Sequence, residues 1–262
     1  MTTSPDRLEG APNFRSVAAL PAADGLHVQP LKLFRSDALH KLTPDDVERL
    51  AALRIGTVLD LRREDERHWA PSRWPQTAQP VIRFFDASPE LEVVQAGGWR
   101  NAIEQPDFDV GQSRAWMTET YARMPRALAP AVRDALMTLS SPNPDASRML
   151  VHCTAGKDRT GFVCAMVLSA LDVPQESILE DYLESSRRKP PETLARSLLD
   201  YHHIPIDTRA LGAMIQIAAV WPDYLDTAFK TTIEQFGSVA DYLKHCGLDN
   251  ARREALRTAL LS

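Results

Sequence analysis

Arg148-Met149-Leu150-Val151-His152-Cys153-Thr154-Ala155-Gly156-Lys157-Asp158-Arg159-Thr160-Gly161 is the stretch that decides how this chain folds. Its first five residues form a short apolar run and read as a buried strand. A glycine-bearing turn follows from Cys153 to Arg159, and Thr160 to Leu171 is apolar almost all round, as a buried helix is. The order strand, loop, helix puts the loop at the carboxyl end of a strand and the amino end of a helix. In α/β folds that place binds anions, because backbone N–H groups and the helix dipole point into it.

The loop spells C-x5-R-T, and each position has a chemical task. A thiolate at Cys153 can attack phosphorus, but free cysteine is mostly protonated near neutrality, with a pKa of about 8.5. The loop therefore has to favour the charged form. Amides of Thr154, Ala155, Gly156 and Lys157 that wrap a common centre, together with Arg159, would favour either a thiolate or a phosphate dianion. Arg159 offers a planar fork for two phosphate oxygens. Gly156 permits the tight bend, and Thr160 is expected to donate its hydroxyl to the sulfur when the thiolate leaves. His152 orients the loop. Asp158 is the nearest candidate acid for the leaving oxygen and base for the incoming water. Lys157 is expected on the rim of the cradle, where a second cation can pair with further phosphates of a substrate.

Outward from the loop, Thr43-Pro44-Asp45-Asp46 is a helix start, with an N-cap, proline at the first helical position and acids in the first turn. Val47, Leu50 and Leu53 continue that helix to Gly56, and Thr57 to Leu61 reads as a buried strand. Residues 86 to 112 read as an irregular insertion. Trp116 to Leu139 reads as one helix, stopped by Ser141-Pro142-Asn143-Pro144. Beyond Val173 the pattern is helical only. Trp221-Pro222-Asp223 is a tripeptide that names the mobile acid loop of many tyrosine phosphatases, but there it precedes the nucleophile. Here it follows, and Pro222-Asp223 reads as the first turn of a helix carrying Leu225 and Phe229. The run Arg62-Arg63-Glu64-Asp65-Glu66-Arg67 reads as a solvated face, with Arg62 a candidate support for the loop.

A net charge of -5 and a hydrophobic share of 44% fit a globular chain and argue against non-specific nucleic-acid binding, which needs a basic surface. The N-terminus lacks the apolar stretch of a secretory signal, and no segment approaches a membrane span, so the expected address is the cytoplasm, with signal-independent export left open. Cys153, Cys164 and Cys246 are too scattered for a disulfide framework, and neither they nor His202-His203 make a metal motif, so no metal and no cofactor is expected. Cys164 and Cys246 read as structural.

With these residues laid out, His152-Cys153-Thr154-Ala155-Gly156-Lys157-Asp158-Arg159-Thr160-Gly161 resembles the signature of the bacterial and fungal tyrosine or dual-specificity phosphatases related to mycobacterial tyrosine phosphatase B. Asn13-Phe14-Arg15 resembles the family's N-F-R-D opening, with Ser16 in place of aspartate. Leu33-Phe34-Arg35-Ser36-Asp37-Ala38-Leu39 resembles its Y-R-S-x-A-L segment, and Asp60-Leu61-Arg62 its D-L-R strand end. Ile178 to Leu183 and Phe236 to Leu243 are similar as well. The resemblance implies a single α/β domain over residues 1–262, with a central, largely parallel sheet flanked by helices, a helical C-terminal half and a helical lid within residues 181–220. It also implies phosphorylated protein as substrate, with phosphoinositides as a further class that a lysine at the position of Lys157 accompanies. Two rival classes stay open at this point: a phosphate-recognising pseudophosphatase, and a thiol-based arsenate reductase or sulfurtransferase.

Overall fold

The computed structural model describes residues 7–77, 79–87, 91, 98–142 and 148–262. Five strands form one sheet in the order β1 (Arg15–Ser16), β2 (Leu33–Ser36), β5 (Met149–His152), β3 (Thr57–Asp60) and β4 (Val81–Phe84). All neighbours are parallel except β1, which runs antiparallel along β2. β5 lies at the centre, hydrogen-bonded on both sides, and every residue in it is buried. That explains the apolar run Met149 to Val151: a strand covered on both faces has no solvent side for polar residues, and His152 comes only at its end.

Register brings Ser36, His152 and Asp60 to one level, at the carboxyl ends of three adjacent parallel strands. The segments that follow them must therefore meet above the same edge. Below that edge, side chains alternate between two cores. Leu33, Leu59, Met149 and Val151 face a large helical core that includes the helix Asp158–Ala170. Phe34, Val58 and Leu150 face a smaller one, with Phe14 and with Leu50 of the helix Pro44–Ala52. The start of that helix is as expected: Thr43 accepts from the Asp46 amide, and Asp46 accepts from that of Thr43.

Three stretches differ from the sequence reading. The part of residues 86–112 that is described contains the helix Gly98–Ile103 and the start of another at Val110, where Asp109 accepts from the Gln112 amide. Gly111 and the preceding Pro106 had suggested a loop, but this cap outweighs them. The stretch Trp116 to Leu139 is two helices, Val110–Ala127 and Ala129–Leu139, separated at Leu128. The first continues past Pro125, with Leu128 N–H bonded to Met124 O at 2.9 Å, and Pro130, which has no N–H for the carbonyl of Arg126, sits in the first turn of the second. The Ser141 to Pro144 stop lies partly outside the described residues.

The third concerns the expected lid. Residues 181–188 end the core helix Gln175–Arg188, in which Ile178, Tyr182 and Ser185 are buried. Only the helices Pro191–Tyr201 and Thr208–Ala218 form a layer of their own, packed on each other, with the second also against Val110–Ala127. Trp221-Pro222-Asp223 opens the helix Pro222–Phe236, as the proline position predicts. Asp223 is half exposed and pairs with Arg114 at 2.7 Å. No described helix is long and apolar enough to cross a membrane.

Candidate active site

The loop after β5 is shaped from outside by donors to its carbonyls. Ala38 N–H donates to Thr154 O at 3.2 Å, and the Asn13 side-chain amide donates to Ala155 O at 3.0 Å and Gly156 O at 2.9 Å. Arg35 adds a bond to Gly156 O at 3.0 Å. In a planar trans peptide the C=O and the next N–H point in opposite directions. Turning the carbonyls of residues 154, 155 and 156 outward therefore turns the amides of 155, 156 and 157 inward. The inward direction holds the nucleophile candidate: Gly156 N–H donates to Cys153 Sγ at 3.3 Å. Gly156 is required twice over, because its φ is +69° and a Cβ there would lie 2.3 Å from Ser36 O.

The donors are themselves held by a buried ion network that the sequence reading missed. Asp181 accepts from Arg35 Nη1 at 2.5 Å and Arg15 Nε at 3.0 Å, and Arg15 fixes Asn13 through its Oδ1 at 2.6 Å. Burial would push the Asp181 carboxyl up, but the two guanidiniums hold it below the usual carboxylate range. One signal was present in sequence: Arg35 is a charge inside the apolar run Leu33-Phe34, which a buried strand tolerates only with a partner. Ser16 receives the Leu31 amide at 2.9 Å, so its departure from the family pattern leaves the loop contact to Asn13.

Arg159 has a grip on its outer edge. Glu66 accepts from Nη1 at 2.8 Å and from Nη2 at 3.0 Å, Leu61 O accepts from Nη1 at 2.8 Å, and Thr154 Oγ1 accepts weakly from Nη2 at 3.4 Å. Each terminal nitrogen carries two hydrogens, so the firm bonds leave the Nε side, with the loosely bound Nη2 hydrogen, to face an anion. Burial would raise the Glu66 carboxyl, but Arg159, Thr154 and the Arg63 amide hold it at about 2. Glu66 belongs to the run read from sequence as a solvated face. With the buried Arg62 it is a member of that run that turns inward, and it also closes the capping box of the helix Glu64–Trp69 by accepting from Arg63 N–H.

The remaining candidates fall into three groups. Asp158 accepts at Oδ1 from Lys157 Nζ at 2.6 Å and from Tyr121 Oη at 2.6 Å. Lys157 is only 6% exposed, with a second bond to Ala219 O at 3.2 Å, so it is not on the rim as the sequence suggested. A buried lysine ammonium needs an opposite charge, and the adjacent, partly exposed Asp158 supplies it. His152 is buried with Nε2 3.6 Å from Asp60 Oδ2, and burial lowers its pKa despite Asp60, which favours its neutral form. Arg62 does not reach the loop. It is bound to Asp60 at 2.7 Å, Ala70 O and Ser72, and its charge also lowers the pKa of His152. Thr160 is buried and its hydroxyl has no hydrogen bond among the described residues, so the expected contact to the sulfur is not made in this structure. Cys164 and Cys246 lie in the core, where burial pushes their thiols up to about 12 and about 11.

A cysteine at the carboxyl end of a central parallel strand, an inward amide loop, an arginine at its far end and a buried helix behind it define the class of cysteine phosphatases. Residues 7–262 match the tyrosine phosphatase family model Y_phosphatase3, and the chain belongs to that family. The triple specificity protein phosphatase PtpB of Mycobacterium tuberculosis is 30% identical, over 97% of this chain and 98% of its own. A Cupriavidus necator protein whose name assigns it to the tyrosine-protein phosphatases is also 30% identical, over 88% of this chain and 80% of its own. Among solved structures, Pseudomonas aeruginosa TpbA covers 77% of this chain and 98% of its own, at 17% identity and a TM-score of 0.35.

Proposed function

We propose that this tyrosine phosphatase family member hydrolyses phosphotyrosine and related phosphomonoesters through a phosphocysteine at Cys153. The observation that carries the reading is the set of three outward carbonyls, at Thr154, Ala155 and Gly156, which aims three amides at the space beside Sγ. In the first step the Cys153 thiolate forms an S–P bond while the P–O bond to the leaving group breaks, and its electron pair takes a proton from Asp158. In the second, water gives a proton to Asp158 and attacks phosphorus, and the S–P bond breaks to restore the thiolate. Arg159 and the loop amides follow the charge on the equatorial oxygens through both steps. Thr160, whose hydroxyl has no partner among the described residues, is the donor for the departing sulfur in this reading.

Phosphorylated protein is the substrate in this reading. Phosphoserine, phosphothreonine and phosphoinositides are proposed as further classes, and the name of the M. tuberculosis relative, a triple specificity protein phosphatase, supports a breadth beyond one phosphoester. The buried position of Lys157 gives no support to a direct role for it in reading extra phosphates. The helices Pro191–Tyr201 and Thr208–Ala218 serve as the cover of a single catalytic domain, and the site of action is the cytoplasm.

The test is turnover of para-nitrophenyl phosphate and of a phosphotyrosine peptide by the wild type and by Cys153→Ser. Turnover lost in the variant with phosphate-analogue binding retained supports the reading. Wild-type binding without turnover would instead indicate a pseudophosphatase, and arsenate reduction or sulfur transfer without phosphate release would indicate a thiol redox enzyme or sulfurtransferase.

A further inference from the structure

Three tyrosines from three helices gather behind Asp158. Tyr121, on Val110–Ala127, is fully buried and donates its hydroxyl to Asp158 Oδ1 at 2.6 Å. Tyr182, on Gln175–Arg188, lies with its hydroxyl 2.7 Å from that of Tyr121. Tyr224, on Pro222–Phe236, packs its ring 5.4 Å from the Tyr121 ring. A phenol has one proton. Since Tyr121 gives its proton to Asp158, Tyr182 is the donor between the two phenols, and the chain runs one way, from Tyr182 through Tyr121 to Asp158. Gly161 admits Tyr182 to this place, for a Cβ there would lie 2.9 Å from the Tyr182 ring.

Both donors to Asp158, Lys157 and Tyr121, land on Oδ1, and among the described residues none reaches Oδ2. We infer that Tyr121, backed by Tyr182, is a positioning residue for phosphoryl transfer: it anchors Oδ1 so that only Oδ2 of Asp158 exchanges protons with the leaving oxygen and the attacking water. The inference rests on the assignment of Asp158 as acid and base. A carboxyl group with equivalent oxygens can carry its proton on either one and rotate between them. Two donors on one oxygen end that equivalence, because a proton placed on Oδ1 would face an O–H and an N–H.

The donors keep their own protons. Burial, with Asp158 next, places Tyr121 well above the ordinary phenol range, and burial does the same for Tyr182. The charged groups around Asp158 are Lys157 and Arg159 from the loop. Tyr121, Tyr182 and Tyr224 face it from the three helices. Behind them Arg35 is bound to Asp181, and Arg114 to Asp223. Tyr121→Phe therefore removes one neutral donor and leaves both loop cations in place.

The experiment measures kcat and KM against pH, with phenyl phosphate and para-nitrophenyl phosphate, for the wild type, Asp158→Asn, Tyr121→Phe and Tyr182→Phe. The Asp158 limb is the one that Asp158→Asn abolishes. Losing a donor to the ionised form raises the pH at which that form appears, so in Tyr121→Phe this limb is expected about one pH unit higher. With phenyl phosphate kcat should fall about tenfold while KM changes little, and the loss should be smaller with the better leaving group. Tyr182→Phe should move the limb the same way by less. A limb that stays in place in Tyr121→Phe, whether or not kcat drops, overturns the positioning role. If the melting curve of Tyr121→Phe shows that it does not fold, Tyr182→Phe decides by the same criterion. A wild type that turns over neither ester overturns the phosphatase reading itself and this inference with it, whereas an active wild type with an unmoved limb overturns this inference alone.

Discussion

Glu66 holds both terminal nitrogens of Arg159, at 2.8 Å and 3.0 Å, and receives the Thr154 hydroxyl at 2.5 Å on the oxygen that binds Nη2. The carboxylate therefore sets the plane of the guanidinium before any substrate arrives. Glu66→Ala is expected to lower kcat/KM for para-nitrophenyl phosphate by about 10- to 100-fold, since an arginine held firmly only by Leu61 O must be ordered at the expense of binding free energy. A second readout is stability. The folded Glu66 carboxyl titrates at about 2 against an ordinary 4.5, so its contribution is fully present above pH 4.5 and is lost as pH falls toward 2. Melting temperatures of wild type and Glu66→Gln should converge over that window, and parallel curves would show that the ion pair adds no stability.

Gly156→Ala places a Cβ 2.3 Å from the Ser36 carbonyl oxygen at a residue with φ of +69°. The backbone must move, and the amides of the cradle move with it. A loss of about 2 kcal/mol or more in stability is expected, together with loss of phosphate-analogue binding. Chemical denaturation and calorimetric titration with a phosphate analogue measure the two effects.

Asp181→Ala leaves Arg15 and Arg35 buried without their shared carboxylate. Removing one partner of a buried pair costs about 3–5 kcal/mol, so the variant should unfold at much lower denaturant than wild type. A residue in a mobile lid would behave otherwise: its loss would change KM and leave the midpoint of unfolding in place.

Asp158→Asn is expected to lower kcat strongly for esters with poor leaving groups and much less for para-nitrophenyl phosphate, because a good leaving group needs little protonation. Asp223→Asn should be nearly neutral, as Asp223 lies in a first helical turn and pairs with Arg114 at the surface. A leaving-group-dependent loss in Asp223→Asn would return the Trp221-Pro222-Asp223 segment to the role of acid loop.

Lys157→Ala tests the place of the loop lysine. With Nζ bound to Asp158 Oδ1 and Ala219 O, it acts on the carboxylate and not on the distal part of a substrate. Losses in kcat/KM should be equal, within about threefold, for a phosphotyrosine peptide and a phosphoinositide. A loss at least tenfold greater for the phosphoinositide would restore the direct contact.

Local pattern made several elements readable. The strand Met149–His152, the helix start at Thr43-Pro44 and the helix start at Pro222 each depend on neighbours within four residues: an apolar run, a cap, a proline with fixed φ. The short strands β1 and β4 carry no such signal. β4 is exposed along most of its length, so its apolar residues do not alternate, and β1 is two residues long. The helix start at Asp109 was hidden because Pro106 and Gly111 flank it, and the cap outweighs both.

By itself the sequence determined which residues are the candidate reacting groups and their order: Cys153 at a strand end, Arg159 six residues on, Asp158 beside it, and the helix behind. These lie on one continuous segment, where spacing alone sets neighbours. Only the tertiary structure decided what holds and tunes them. Asn13, Arg35, Glu66 and Tyr121 are 37 to 143 residues from the loop residues they bind, and Asp181 is 146 residues from the Arg35 it holds. Their meeting depends on strand register and helix packing, which bring together the ends of β2, β3 and β5 and bury the charges among them. The same burial turned Lys157 from the rim toward Asp158 and Glu66 from solvent toward Arg159. A charge taken out of water seeks the nearest opposite charge, and which one is nearest is a property of the fold.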